Sequence, residues 1–294
     1  MNSIAAFSFI LHDRHGTDRF ARFFRTLADQ DIPSCRLEVC LVDTNADSAL
    51  PRMAKRYRAR AGEYLLRVIS APGASPAKAW NLGLKECTGL LAACVQPGLR
   101  LDRGFASAHL SALHQHPEAD VLFSGFLSSG PLGAGFIRPQ GSPQEQLRSL
   151  DAIGPLPVLT SRARRALHFR EASPFPSWEL GIQAAQRGLR FLRLPRLLYS
   201  VPSYDWKANG PAEEMARLVT RQAGFFHVDQ LRWALGVLRR RAWAMLPECR
   251  GLPSPREIRE LMHEQIRMER LSRTGQHPVE TFPGPQCSLG ALGA

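Results

Sequence analysis

The sequence predicts an α/β fold: a mostly parallel central sheet with helices on both faces, followed by a C-terminal helical extension. Three observations lead there. Apolar runs of strand length recur along the first two-thirds of the chain: IAAFSFIL at 4–11, LEVCLVD at 37–43, LLAACV at 90–95 and VLFSGF at 121–126. They are near-continuous rather than alternating, as strands buried on both faces are. Segments with three- and four-residue apolar spacing separate them, so parallel strands joined by crossover helices fit best.

The first strand, expected over Ile4–Leu11, breaks at the polar HDRHGTD. FARFFRTLADQ follows, where Phe20, Phe23, Phe24 and Leu27 mark one helix face. IPSC turns the chain into a second strand, expected over Glu38–Val42, with Asp43 at its carboxyl end. Arg52–Arg67 reads as a helix leading into the strand LLRVIS. APGASP is then a loop, and AKAWNLGLKECTG a helix with Gly89 as its C-cap. Strands expected over Leu91–Val95 and Val121–Gly125 flank a helix in DRGFASAHLSALHQ, with Asp102 as its N-cap.

Leu127–Ser149 is rich in Gly, Ser and Pro, the composition of a mobile surface loop. LPVLTSRARRAL, SWELGIQAAQRG and LRFLRLPRLLYS resume the pattern of strand and helix. Beyond Tyr204 the character changes: Ala212–Leu246 and Ser254–Ser272 read as helical. The expected organisation is an α/β domain over 1–205, a helical extension over 206–274 and a disordered tail over 275–294.

Of the 294 residues 44% are hydrophobic, enough for a packed core, and the formal net charge is +12. That charge favours anionic partners, but it is spread along the chain without a dense basic block interleaved with aromatics, which disfavours nucleic acid. The six cysteines form no CxxC pair and no zinc-site spacing. MNSIAAFSFILHD lacks the basic lead and cleavage site of a secretory signal, so a cytoplasmic location is expected.

Four short patterns, in order, resemble the family 2 glycosyltransferases of the GT-A type. LADQDIPSCRLEVCLVDTNADS is similar to the stretch in which a strand delivers an aspartate toward the nucleotide. GASPAKAWNLGLKECTG resembles the family's Ala-x-Asn-x-Gly helix, and HPEADVLFSGF the strand-entering segment beyond the sugar site. SWELGIQAAQRGLRFLRLPRLLYS resembles the segment carrying its catalytic acids and closing Arg-x-x-Gly tail. The resemblance spans about residues 4–205 and implies a nucleotide-sugar donor with a glycan, lipid-linked or protein acceptor.

It also implies site residues. Asp43, His12, Lys78 and Asn81 match nucleotide-binding positions, with Lys78 a point charge for phosphate. Gln96, Gly98 and Arg100 fall in the sugar and phosphate region. There the family carries Asp-x-Asp on a hard cation, whereas this chain reads Val95-Gln96-Pro97-Gly98. Pro176 and Ser177 occupy the catalytic acidic pair's positions, and Ser200-Val201-Pro202-Ser203 replaces a histidine often found near the metal. Glu179 is the nearby carboxylate that a re-registered loop could use as base; its other role is a first-turn acid favoured by the helix dipole. No metal ligand or cofactor is therefore expected, with Mg²⁺ or Mn²⁺ returning only if the motif lies elsewhere. A domain that has lost catalysis and serves as a binding or docking module is the alternative.

In the extension, Val228, Leu231, Leu235, Leu238, Ala242 and Met245 recur at helical steps, with Arg232 and Arg239–Arg241 mostly off that stripe. The 224–246 segment is expected to pack on the α/β domain. A partner protein or the inner face of a membrane are the other surfaces it suits.

Overall fold

A computed structural model describes residues 5–12, 20–45, 51–52, 54–56, 64–96, 98–130, 133–137, 143–148, 153–202, 212–244 and 252–273. Arg14, His15, Asp47, Met245, the side chain of Ala242 and the 275–294 segment lie outside them.

The strands are β1 (Phe7–His12), β2 (Leu37–Asp43), β3 (Leu65–Ser70), β4 (Leu91–Cys94), β5 (Arg100–Leu101), β6 (Val121–Gly130), β7 (Gly133–Ile137), β8 (Val158–Thr160) and β9 (Phe191–Val201). They form one mixed sheet in the order β3-β2-β1-β4-β8-β6-β9-β5, with β7 paired to β6. The β3-β2-β1-β4 half is parallel throughout. β8 enters antiparallel to both β4 and β6, while β6 and β9 run parallel. β1 is buried along its whole length, as its near-continuous apolar run predicts, with Ser8 and His12 buried among the apolar residues.

Nine α-helices of the described residues cover the sheet and extend from it: α1 (Ala21–Ala28), α2 (Pro76–Glu86), α3 (Phe105–Gln115), α4 (Pro143–Gln146), α5 (Ser161–Ala166), α6 (Pro176–Gln186), α7 (Ala212–Arg221), α8 (Val228–Leu238) and α9 (Pro255–Arg273). One sheet face packs Phe7, Phe9 and Leu41 against Phe23 and Phe24 of α1 and Phe105 of α3. The opposite face packs Ile10, Cys40 and Ala92 against Trp80 and Leu84 of α2, Ala163 of α5 and Leu180 of α6.

The expected mobile loop at 127–149 is corrected in part. β6 runs on to Gly130 and pairs antiparallel with β7, so a hairpin stands where Gly/Ser composition suggested a loop. Small residues are compatible with a paired strand, because the ladder uses backbone groups. Gly89 is not the helix cap: Cys87 caps α2. Gly89 instead passes so close to β1 that a Cβ would lie 2.5 Å from Ser8 Oγ and 2.8 Å from the Leu91 carbonyl oxygen. Asp102 is not the N-cap of α3, which is Gly104; its Oδ1 accepts from the Gly104 amide at 2.9 Å and orders the turn before it.

The C-terminal helices pack on the α/β domain through a third core. Trp178 and Ile182 of α6 meet Met215, Leu218 and Val219 of α7 and Trp233, Ala234 and Val237 of α8. Trp178 Nε1 donates to the Leu147 carbonyl at 2.7 Å and Trp233 Nε1 to the Ala244 carbonyl at 3.0 Å, so both indoles are buried without an orphaned donor. The helical run expected over Ala212–Leu246 is two helices, α7 and α8, separated by the turn at 222–227. His227 restarts the chain with a capping box to Gln230. The buried face of α8 is also not the stripe read from spacing: Val228, Leu235 and Leu238 are 52%, 44% and 40% exposed. Trp233 and Val237 lie on the other side and bury more apolar area. No helix of the described residues is long and apolar enough to cross a membrane.

Candidate active site

Parallel strands bring the ends of β1, β2 and β4 to one edge. His12 pairs in register with Val42, which sets Asp43 one residue beyond it. The Val95 amide donates to the Ile10 carbonyl at 2.8 Å, so Gln96 leaves β4 alongside the end of β1. In open α/β sheets this carboxyl edge is where ligands bind, because the chain leaves the ladder there and offers side chains and loop amides.

Asp43 is half-buried, and its Oδ1 accepts from the Asn45 amide at 3.3 Å. Oδ2 bonds no other described residue. The 71–74 turn folds back against this edge: Ala71 N donates to the Asp43 carbonyl at 2.8 Å and Gly73 N to the Thr44 carbonyl at 2.9 Å. That turn leads into α2, whose N-terminus is capped by the Ser75 side chain accepting from Lys78 N at 3.3 Å.

His12 is buried, its ring edge-on to Trp80 at 5.3 Å between centroids, and Trp80 in turn meets Phe169 at 4.9 Å. Trp80 thus walls the edge. Its buried Nε1 has no acceptor among the described residues. A buried donor left unpaired costs about 1–3 kcal/mol, so a ligand oxygen there would be stabilised.

The other predicted residues do not all gather here. Asn81 is committed to the chain beyond α5: its Nδ2 donates to the Phe169 carbonyl and its Oδ1 accepts from the Phe169 amide, each at 2.8 Å. Lys78 is exposed and pairs with Glu171 at 3.3 Å. Gly98 holds a left-handed φ of +85°, and a Cβ on it would come within 2.6 Å of Pro202 Cγ, so segment 96–101 closes under the end of β9. Arg100 is exposed and its backbone pairs with Ser200.

Glu179 sits elsewhere. It is 1% exposed on α6, with Arg170 Nε at 3.5 Å from Oε1, Arg221 Nη2 at 3.6 Å from Oε2, and Gln222 Nε2 donating to Oε1 at 3.3 Å. Arg221 and Gln222 belong to the segment ending α7, so as placed this carboxylate ties the extension to the α/β domain. A base must reach an acceptor hydroxyl, and Glu179 would have to leave three partners to do so. Ser177 is buried in the same helix.

At the place where the resemblance implies a divalent cation, the residues present offer it no anionic ligand. Segment 95–101 carries no carboxylate, and a hard cation stripped of water needs anionic oxygen. Among the described residues no group of three or more His, Cys, Asp or Glu is placed to hold a metal.

Sequence reading missed one basic feature. Between α2 and α5 lies a cleft of about 540 Å³ lined by Lys85, Arg164, Arg165 and His168 with no acidic residue. Arg164, Arg165 and His168 are near neighbours in sequence, and helix packing brings the distant Lys85 to them. Arg164 is already engaged, donating to the Cys87 and Gly89 carbonyls at 3.0 and 2.7 Å.

No family model matches the chain, and no curated protein matches it. Solved structures do. S. aureus TarS, residues 1–349, superposes with a TM-score of 0.56 at 16% identity, covering 78% of this chain and 70% of that one. The same protein in complex with UDP-GlcNAc gives 0.57 at 16% identity, covering 75% and 66%. The mannosyltransferase PcManGT from Pyrobaculum calidifontis, in complex with GDP-Man and Mn²⁺, gives 0.55 at 14% identity, covering 94% and 84%. The fold is of the GT-A glycosyltransferase type. Likeness at this identity extends to the architecture, and the chemistry has to be argued from this chain's own residues.

Proposed function

We propose that the chain is a family 2 type glycosyltransferase that binds a nucleotide sugar at the carboxyl edge of β1, β2 and β4. The single observation that carries the reading is Asp43, a half-buried carboxylate at the end of β2 beside His12, in a fold shared with structures that hold UDP-GlcNAc and GDP-Man. Asp43 accepts from the ribose or base, Trp80 Nε1 donates to a ligand oxygen, and His12 orders the wall between them. Gln96, leaving β4 beside the end of β1, faces the phosphates and sugar, and Lys78 would reach them only by leaving Glu171. Developing charge on the leaving diphosphate is met by cationic side chains and backbone donors, with no protein-bound cation. The acceptor is a glycan, a lipid-linked sugar or a protein, reached on the cytoplasmic side.

A second reading is supported by Glu179. With that carboxylate enclosed by Arg170 and Arg221, and with Pro176 and Ser177 in place of acids, the domain binds a nucleotide or glycan without transferring sugar.

Thermal-shift measurements with uridine and guanosine diphospho-sugars test the binding. Ligand at 100 times its Kd is expected to add about 2.7 kcal/mol of stability, because it binds only the folded chain. EDTA should leave the shift unchanged, and a shift that appears only with Mn²⁺ would return Asp102 and Glu179 to consideration as ligands. Release of nucleoside diphosphate with sugar transfer distinguishes the two readings.

A further inference from the structure

The outer face of α8 has no covering among the described residues, although it is apolar. Val228, Leu235 and Leu238 are each at least 40% exposed, and Leu231 between them is half-buried. At 100° per residue these four lie on one stripe about 15 Å long, opposite the Trp233 and Val237 side that packs on the domain. Arg232 and Arg239 border the stripe by the same geometry, and Arg240 and Arg241 follow at its end. All four arginines are exposed.

The charge on this face has one sign. The only acid in α8, Asp229, is buried and held by Arg259 at 2.6 Å and Arg232 at 3.5 Å. Among the described residues no carboxylate pairs with Arg239, Arg240 or Arg241. The helix ends in a left-handed turn: Arg240 has φ +52°, its amide donates to the Val237 carbonyl and the Arg241 amide to the Gly236 carbonyl, both at 2.8 Å. Glycine is the usual residue at that position, since a side chain there is strained. An arginine occupies it nonetheless, and the turn presents three consecutive cations beside Leu238.

We propose that this face of α8, with Arg239–Arg241, docks the protein peripherally on an anionic lipid bilayer. The apolar stripe enters the boundary between headgroups and acyl chains, while the arginines extend to lipid phosphates. A second copy of the chain fits less well. Four side chains expose far less than the roughly 800 Å² per partner of a stable protein interface. Two-fold pairing would also bring the two arginine clusters together. A bilayer needs no matching shape and supplies the opposite charge. The surface is distinct from the sugar-nucleotide edge, so docking stands whether or not transfer occurs.

Co-sedimentation of the full chain with phosphatidylcholine vesicles, with and without phosphatidylglycerol, tests this. Binding is expected to the anionic vesicles and to weaken with salt. Leu235→Glu with Leu238→Glu should lower it about tenfold or more, from lost apolar burial and added repulsion. Arg239→Gln, Arg240→Gly and Arg241→Gln together should lower it about 100-fold, each basic residue near an anionic surface being worth about fivefold. Arg240→Gly relieves the left-handed backbone, so its loss of binding with an undiminished melting temperature separates charge from fold. Equal binding to neutral vesicles, no binding to anionic ones, or variants that bind like the wild type would each overturn the proposal. So would dimerisation by light scattering that the leucine variants abolish.

Discussion

Replacing Glu38 with alanine is expected to cost about 2–5 kcal/mol of stability, from two donors left without an acceptor, a large part of the 5–15 kcal/mol available to a domain. Glu38 is 1% exposed in the middle of the parallel sheet. Its Oε2 accepts from Ser8 Oγ at 2.5 Å, from the Thr88 amide at 2.7 Å and from Thr88 Oγ1 at 3.1 Å, while Oε1 meets Arg67 Nε at 3.2 Å. Ser8 Oγ in turn accepts from Gly89 N at 2.8 Å, so one carboxylate joins β1, β2, β3 and the start of β4. Alanine leaves the Thr88 amide and the Ser8 hydroxyl without their acceptor inside the fold, although half-exposed Arg67 can turn to water. Glutamine keeps one acceptor and should recover part of the loss. Urea denaturation of the two variants measures this, and an alanine variant within 1 kcal/mol of wild type would show that the network contributes little.

Acid should destabilise the protein in two stages. The ring of His109 in α3 is buried against Phe7 and Phe105. Burial lowers its pKa to about 4; the hydrogen bond to the Phe105 carbonyl opposes this and the Arg196 charge adds to it. Between the ordinary histidine value and 4 the unfolded chain takes up a proton that the folded chain refuses. Stability therefore falls with pH across that window, by about 3 kcal/mol in total. Glu38 acts later. Burial alone would raise its pKa, but bonds from Ser8, Thr88 and Arg67 outweigh it and hold the group below its ordinary value. Its contribution is complete above the ordinary carboxylate range and is lost as pH falls through the depressed value. Denaturation at pH 7, 5 and 4 checks the first stage, and His109→Leu should flatten it. A wild-type profile already flat from pH 7 to 4 would refute the assignment.

Much of the architecture was legible because burial leaves a periodic trace. Near-continuous apolar runs read at 4–11, 37–43 and 90–95 predicted the parallel strands found at 7–12, 37–43 and 91–94, and Phe20, Phe23, Phe24 and Leu27 predicted α1. The β6–β7 hairpin left no such trace, since its Gly and Ser residues pair through the backbone. In α8 periodicity named a real apolar stripe but not its direction, because both sides of the helix are apolar and packing decided between them. The Ser8–Glu38 network had a sequence signal, a lone polar residue within each of two buried runs, visible once the strands are set side by side.

At the candidate site, position was legible and partnership was not. Asp43, His12 and Gln96 come to one edge because strand ends align in a parallel sheet. Asn81 and Lys78 find partners in Phe169 and Glu171, and Glu179 in Arg170 and Arg221, pairings that local helical spacing does not reveal.

The most direct test of nucleotide-sugar binding at the carboxyl edge is calorimetric titration in EDTA, comparing wild type with Asp43→Ala. Wild type is expected to bind a uridine or guanosine diphospho-sugar without metal. The variant should bind about 10- to 100-fold more weakly, the worth of a hydrogen bond to a charged group, with its unfolding midpoint unchanged because Asp43 is half-buried and bonds only locally among the described residues. Equal affinity of the two proteins, or binding by wild type only after Mn²⁺ is added, would contradict the assignment.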